Sequence, residues 1–254
     1  MDPKPNESIS EYATFGNNPI FHIDIKGDSV DYSNLYKKDN GGNLLYKEKV
    51  LAFELFASTD EGKKGILLYA EKGFKLKGEL IKDLNIEATS EGERSKQGVD
   101  VKFTINNTTK AASGWTSPFI KKNQRLLLQI NNIGDISVKD KGFRIKILNE
   151  IDTYSHELFL HGDLSSRRYF KLKKNKPLLQ YSDRTELQDS DHDDNFFDKS
   201  QYSRIGLEIL TQADGIMIRK KMTSGSSIGI NPYYLYYNIM LPGIGKDYIN
   251  EIQP

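Results

Sequence analysis

The sequence predicts an all-β, mainly antiparallel fold, a sandwich or barrel-like arrangement with at most one or two short helices. Three observations lead there. Apolar and polar residues alternate with period two in several segments, turn signals recur at short intervals, and helix start and stop signals are scarce.

Taken in order, the first alternating segment sets Phe21, Ile23 and Ile25 against His22, Asp24 and Lys26. Residues 50–57 and 66–69 form short apolar runs of strand length, separated by the turn signal Asp60-Glu61-Gly62. Val99, Val101, Phe103 and Ile105 alternate with Asp100, Lys102 and Thr104 over a longer stretch. Residues 125–130 follow as a further strand, and the polar stretches 89–98 and 108–117 read as loops. Phe143, Ile145 and Ile147 alternate with Arg144 and Lys146, and Ile205, Leu207 and Ile209 with Gly206 and Glu208. Residues 157–160 and 215–219 complete the strand set. Helix is expected only at 80–88 and after Asn231-Pro232, where strand competes equally.

Residues 65–77 resemble residues 134–146: each reads as strand, acidic-Lys-Gly turn, strand, with Gly73 and Gly142 in the turns. The resemblance suggests two similar β units. The organisation expected is an N-terminal arm at 1–16, a first β unit at 17–120 and a second at 121–254, the last two also able to form one domain.

Composition removes several function classes. Net charge is +1, from 36 basic and 35 acidic side chains, so the whole-molecule field attracts neither nucleic acid nor anionic membrane. The absence of cysteine excludes disulfides, thiol catalysis and thiolate metal sites. The N-terminus has no basic and apolar signal pattern, and no apolar run is long enough to span a membrane. Cytoplasmic synthesis is the expectation, with incorporation into a virion as a further step.

No motif yields a catalytic constellation. Gly225-Ser226-Ser227-Ile228-Gly229 matches a nucleophile elbow, but every histidine precedes Ser227. His156 and His161 flank Glu157 in a zincin-like string, yet they stand five apart instead of four. They therefore share no face of an α-helix, and on a strand they point to opposite sides. Rim histidines are the expected reading, with no metal site there. Asp189, Asp191 and Asp193 have the spacing of the first calcium-loop ligands, but Asp194 replaces the turn glycine and Ser200 the closing glutamate. That leaves at most a weak cation site.

The run from Arg167 to Lys176 is the sharpest local feature. As a strand it presents Arg167, Tyr169, Lys171 and Lys173 on one face, with Phe170 and Leu172 toward the core, and an acidic stretch follows. The expected partner-binding residues are therefore Arg167, Arg168, Tyr169, Lys171, Lys173, Asp189, Asp191, Phe196, Phe197 and the single Trp115. The function expected is that of a non-enzymatic structural subunit in a larger complex, such as a phage virion or tail, contacting identical or related protein subunits. No cofactor is expected. A carbohydrate-binding β-sandwich module, stacking sugar on Trp115 or exposed tyrosines, is the alternative.

Overall fold

A computed structural model describes residues 29–105, 114–132, 142–187 and 199–222. It overturns the all-β expectation: the described residues are 51% helical and 19% strand, a mixed α/β fold and not a β-sandwich.

Four strands form the main sheet. They are β1 (Val30–Asp31), β4 (Val99–Ile105), β5 (Gly114–Ile120) and β6 (Leu126–Asn132), in the spatial order β1-β4-β6-β5. β4 runs parallel to β1 and β6, while β5 is antiparallel to β6. β5 and β6 are joined by a tight turn with Gln124 at φ 64°. They lie on opposite sides of the expected boundary at 120/121 and pair along their whole length. Val99, Val101 and Phe103 on β4, with Leu126, Leu128 and Ile130 on β6, are buried. A separate antiparallel pair, β2 (Lys75–Lys77) and β3 (Asn85–Glu87), stands beside the sheet.

The run 50–57 is helix α1 (Lys47–Ala57), not strand. It is buried on nearly every side, through Val50 and every residue from Ala52 to Ala57, so its sequence shows no polar stripe. Phe53 meets Tyr32, Phe103 and Tyr154 with ring centroids 6.0, 4.9 and 5.6 Å away. Glu54 is fully buried among these groups. Its carboxylate accepts from the backbone N–H of Glu79, Leu80 and Ile81 and from Tyr36 Oη, at 2.6–3.0 Å. Residues 66–69 belong to α2 (Asp60–Tyr69), whose first turn is capped by Thr59 Oγ1.

The remaining helices are α3 (Glu93–Lys96), α4 (Phe143–His156), α5 (Asp163–Asn175), α6 (Arg184–Leu187) and α7 (Lys199–Arg219). The alternations at 143–147 and 205–209 thus sit on α4 and α7. α7 is tied to α4 by an ion pair in which half-buried Arg144 donates to both carboxylate oxygens of buried Asp214, at 2.5 and 2.6 Å. The expected hairpin repeat is also overturned. Gly65 lies inside α2, and Gly142 precedes α4 at φ −59°. Only Gly73, at φ +92° before β2, has the expected turn conformation. Residues 80–88 are loop and β3 in place of the expected helix. The segments at 21–26 and 233–240 lie outside the described residues.

Candidate metal centre

The site grows out of an irregularity in one long helix. α4 does not end at His156. The backbone continues from Glu157 to Gly162 as a π-turn and then re-enters α-helix at Asp163. In a π-turn hydrogen bonds run i→i+5, so residues five apart stack one turn above another, and such turns recur at functional sites. His156 and His161 are five apart. Their Nε2 atoms lie 3.0 Å from each other, with ring centroids 4.8 Å apart and planes at 66°. The expectation that these histidines share no face is corrected here, because it considered only α and β geometry.

Glu157 adds a carboxylate to the pair. The two imidazole nitrogens and one carboxylate oxygen all lie within 4.8 Å of one another. Glu157 is buried, whereas both histidines are half-buried and so reach solvent. The sheet anchors the carboxylate. Thr116 Oγ1, on β5, stands 2.9 Å from Glu157 Oε2 and also 2.9 Å from the Glu157 carbonyl oxygen. β5 comes this close because residue 114 is glycine. A Cβ there would lie 2.6 Å from Thr153 Cγ2 and 2.9 Å from the Asn131 carbonyl.

Burial raises the Glu157 carboxyl above its ordinary range, while the His161 charge and the Thr116 hydrogen bonds pull it back down. One turn earlier on α4, burial pushes Asp152 up to about 8, and the Glu157 charge adds to that shift. Asp152 Oδ1 and Ser155 Oγ are buried with no hydrogen-bond partner among the described residues. On the sheet-facing side of α4, Lys49 Nζ donates to Asn132 Oδ1 at 2.6 Å and to Glu150 at 3.2–3.3 Å.

Two Nε2 atoms this close cannot both carry a proton pointing at the other. Either one N–H donates to the other ring's lone pair, or both lone pairs point at a cation. Two nitrogens on a tetrahedral zinc, each at about 2.0–2.1 Å, are about 3.3 Å apart, a few tenths of an ångström from the separation seen here. Two imidazoles with one carboxylate suit zinc, cobalt, nickel or iron and not the oxygen-preferring calcium or magnesium.

No family model, curated protein or solved structure matches the chain. The expected place in a phage virion or tail therefore gains no support from known proteins.

The basic run expected to form a strand is helix α5, and its residues do not share one face. Arg167 is exposed and pairs with Asp163 at 2.6 Å. Arg168 is half-buried and Lys171 exposed. Tyr169 is fully buried, and its hydroxyl donates to the Gln124 carbonyl at 2.6 Å. Lys173 donates to Tyr169 Oη at 2.8 Å. Trp115, expected in a loop, is half-buried on β5 and donates from Nε1 to Ser117 Oγ at 2.9 Å. Asp189, Asp191, Asp193, Phe196 and Phe197 lie outside the described residues. Sequence reasoning weighed His156, Glu157 and His161 together and set them aside on their i, i+5 spacing, which a π-turn accommodates. It missed Thr116 and Asp152 as members of a site.

Proposed function

We propose that this chain binds a divalent transition-metal ion of the zinc class at the π-turn, through His156 Nε2, His161 Nε2 and the Glu157 carboxylate. The convergence of two histidine Nε2 atoms beside a buried carboxylate carries this reading. A helix that departs from α register where two imidazoles meet is consistent with a purpose for the departure. The half-buried histidines give an ion a route in from solvent.

The test is zinc titration of the metal-free chain by calorimetry, with cobalt as a visible-absorption probe. One ion per chain is expected, with binding lost in His156→Ala and in His161→Ala. Zinc at about 100 times its dissociation constant should stabilise the fold by about 2.7 kcal/mol. If the unaltered chain takes up no zinc or cobalt, the histidines are a hydrogen-bonded pair that staples the π-turn, and the metal reading is wrong.

A further inference from the structure

We infer that Thr116 is the positioning residue of this centre, holding both the π-turn and the carboxylate ligand from the sheet; the inference rests on the metal reading above. Thr116 lies on β5, outside the helix that supplies all three ligands, and is buried. Its one hydroxyl faces two acceptors on the same residue, the Glu157 carbonyl and Glu157 Oε2, each at 2.9 Å. The carbonyl belongs to the first residue of the π-turn, so a donor there supports the register that brings His161 back over His156. The carboxylate bond orients the side chain. With the hydroxyl on Oε2, the carboxylate is held in one orientation beside the two imidazoles.

Hydroxyls also meet helix carbonyls on both sides of the turn. Thr153 Oγ1 donates to the Asn149 carbonyl at 3.1 Å, and Ser166 Oγ to the Gly162 carbonyl at 2.7 Å. These two lie within the helix. Thr116 differs because it couples the centre to the sheet, and the close approach at Gly114 sets its height above Glu157. Partners that orient a ligand in this way typically govern about 10–100-fold in metal affinity.

The experiment compares the full-length chain with Thr116→Val, Thr116→Ser and His161→Ala, using zinc calorimetry and the visible spectrum of the cobalt form. Thr116→Val keeps the shape and removes the donor. It should bind zinc about 10–100-fold more weakly, and its cobalt spectrum at saturation should change because the carboxylate is no longer oriented. Thr116→Ser keeps the hydroxyl and should match the unaltered chain in both. A purely structural threonine would lower stability without changing the spectrum of the loaded centre. Equal zinc affinity and an unchanged cobalt spectrum in Thr116→Val, with binding lost in His161→Ala, overturn the role of Thr116 and leave the metal reading standing. If Thr116→Val does not fold, Thr116→Ser decides: binding more than about tenfold weaker there would overturn the hydroxyl's role. If the unaltered chain binds no metal, both proposals fall together.

Discussion

A buried carboxyl opposes folding whenever it is charged, and Asp152, with one oxygen unpartnered among the described residues, is such a group. Its folded pKa of about 8 lies above the ordinary 3.8. Between those values the folded chain holds a proton that the unfolded chain has lost. Stability therefore falls as pH rises through this window and levels off above about 8. The upward shift of Glu157 acts with the same sign. In metal-free buffer, urea midpoints should decline from about pH 5 to about pH 8, and Asp152→Asn should flatten most of that slope. Glu54 is the opposite case, a buried carboxylate met by four donors. Glu54→Ala would strand three backbone amides and the Tyr36 hydroxyl. Urea denaturation should register a loss of about 3–5 kcal/mol.

Among elements, legibility followed how long a pattern ran and how many faces it left wet. β4 could be read because alternation held over the whole strand, and β6 because its short apolar run has strand length. α1 could not, since burial on nearly all sides erases the stripe that marks a helix. α4 and α7 misled for another reason. Positions i and i+4 share a face in both helix and strand, so Ile205 and Ile209, or Phe143 and Ile147, fit either period in a five-residue window. Only the longer run separates them: Ile209, Leu210, Ala213 and Met217 are the buried apolar positions on α7, spaced as one helical face. α7 also depends on an ion pair. Arg144→Ala removes the bidentate partner of buried Asp214 and should cost on the order of 3 kcal/mol. Amide exchange across α7 should accelerate before exchange in β4 and β6 does.

For the molecule as a whole, far-UV circular dichroism should show a helix-dominated spectrum, and a strand-dominated one would contradict the fold. Among the described residues no helix is long and apolar enough to cross a membrane. The candidate centre was half legible. Both histidines and Glu157 stood out in the sequence, but their geometry depends on a π-turn, for which no propensity rule gives a local signal. Thr116 was out of reach altogether, because it arrives from another strand through tertiary packing. Proteolysis should report the same global coupling. Saturating zinc should slow cleavage of the unaltered chain and leave the cleavage of His161→Ala unchanged.

The π-turn also keeps a phase. Each residue in an α-helix advances the chain by about 100° around the axis. The wider π-turn advances it less per residue, so the six residues Glu157–Gly162 cover about the angle that one residue fewer would cover in α-helix. The extra residue is absorbed as a bulge, and α5 leaves the turn aimed much as a regular helix would aim it. Deleting Phe159, within the turn, should let α4 and α5 fuse into one regular helix with Tyr169 still on the Gln124 carbonyl, the docking point between α5 and the β5–β6 turn. The irregularity is thus a splice between two halves of one rod: the upstream half packed on α1 and α7, the downstream half docked to the sheet. A chain lacking Phe159 should remain as helical by circular dichroism and keep Tyr169 shielded from solvent, while melting earlier because the Phe56–Phe159 ring contact is gone.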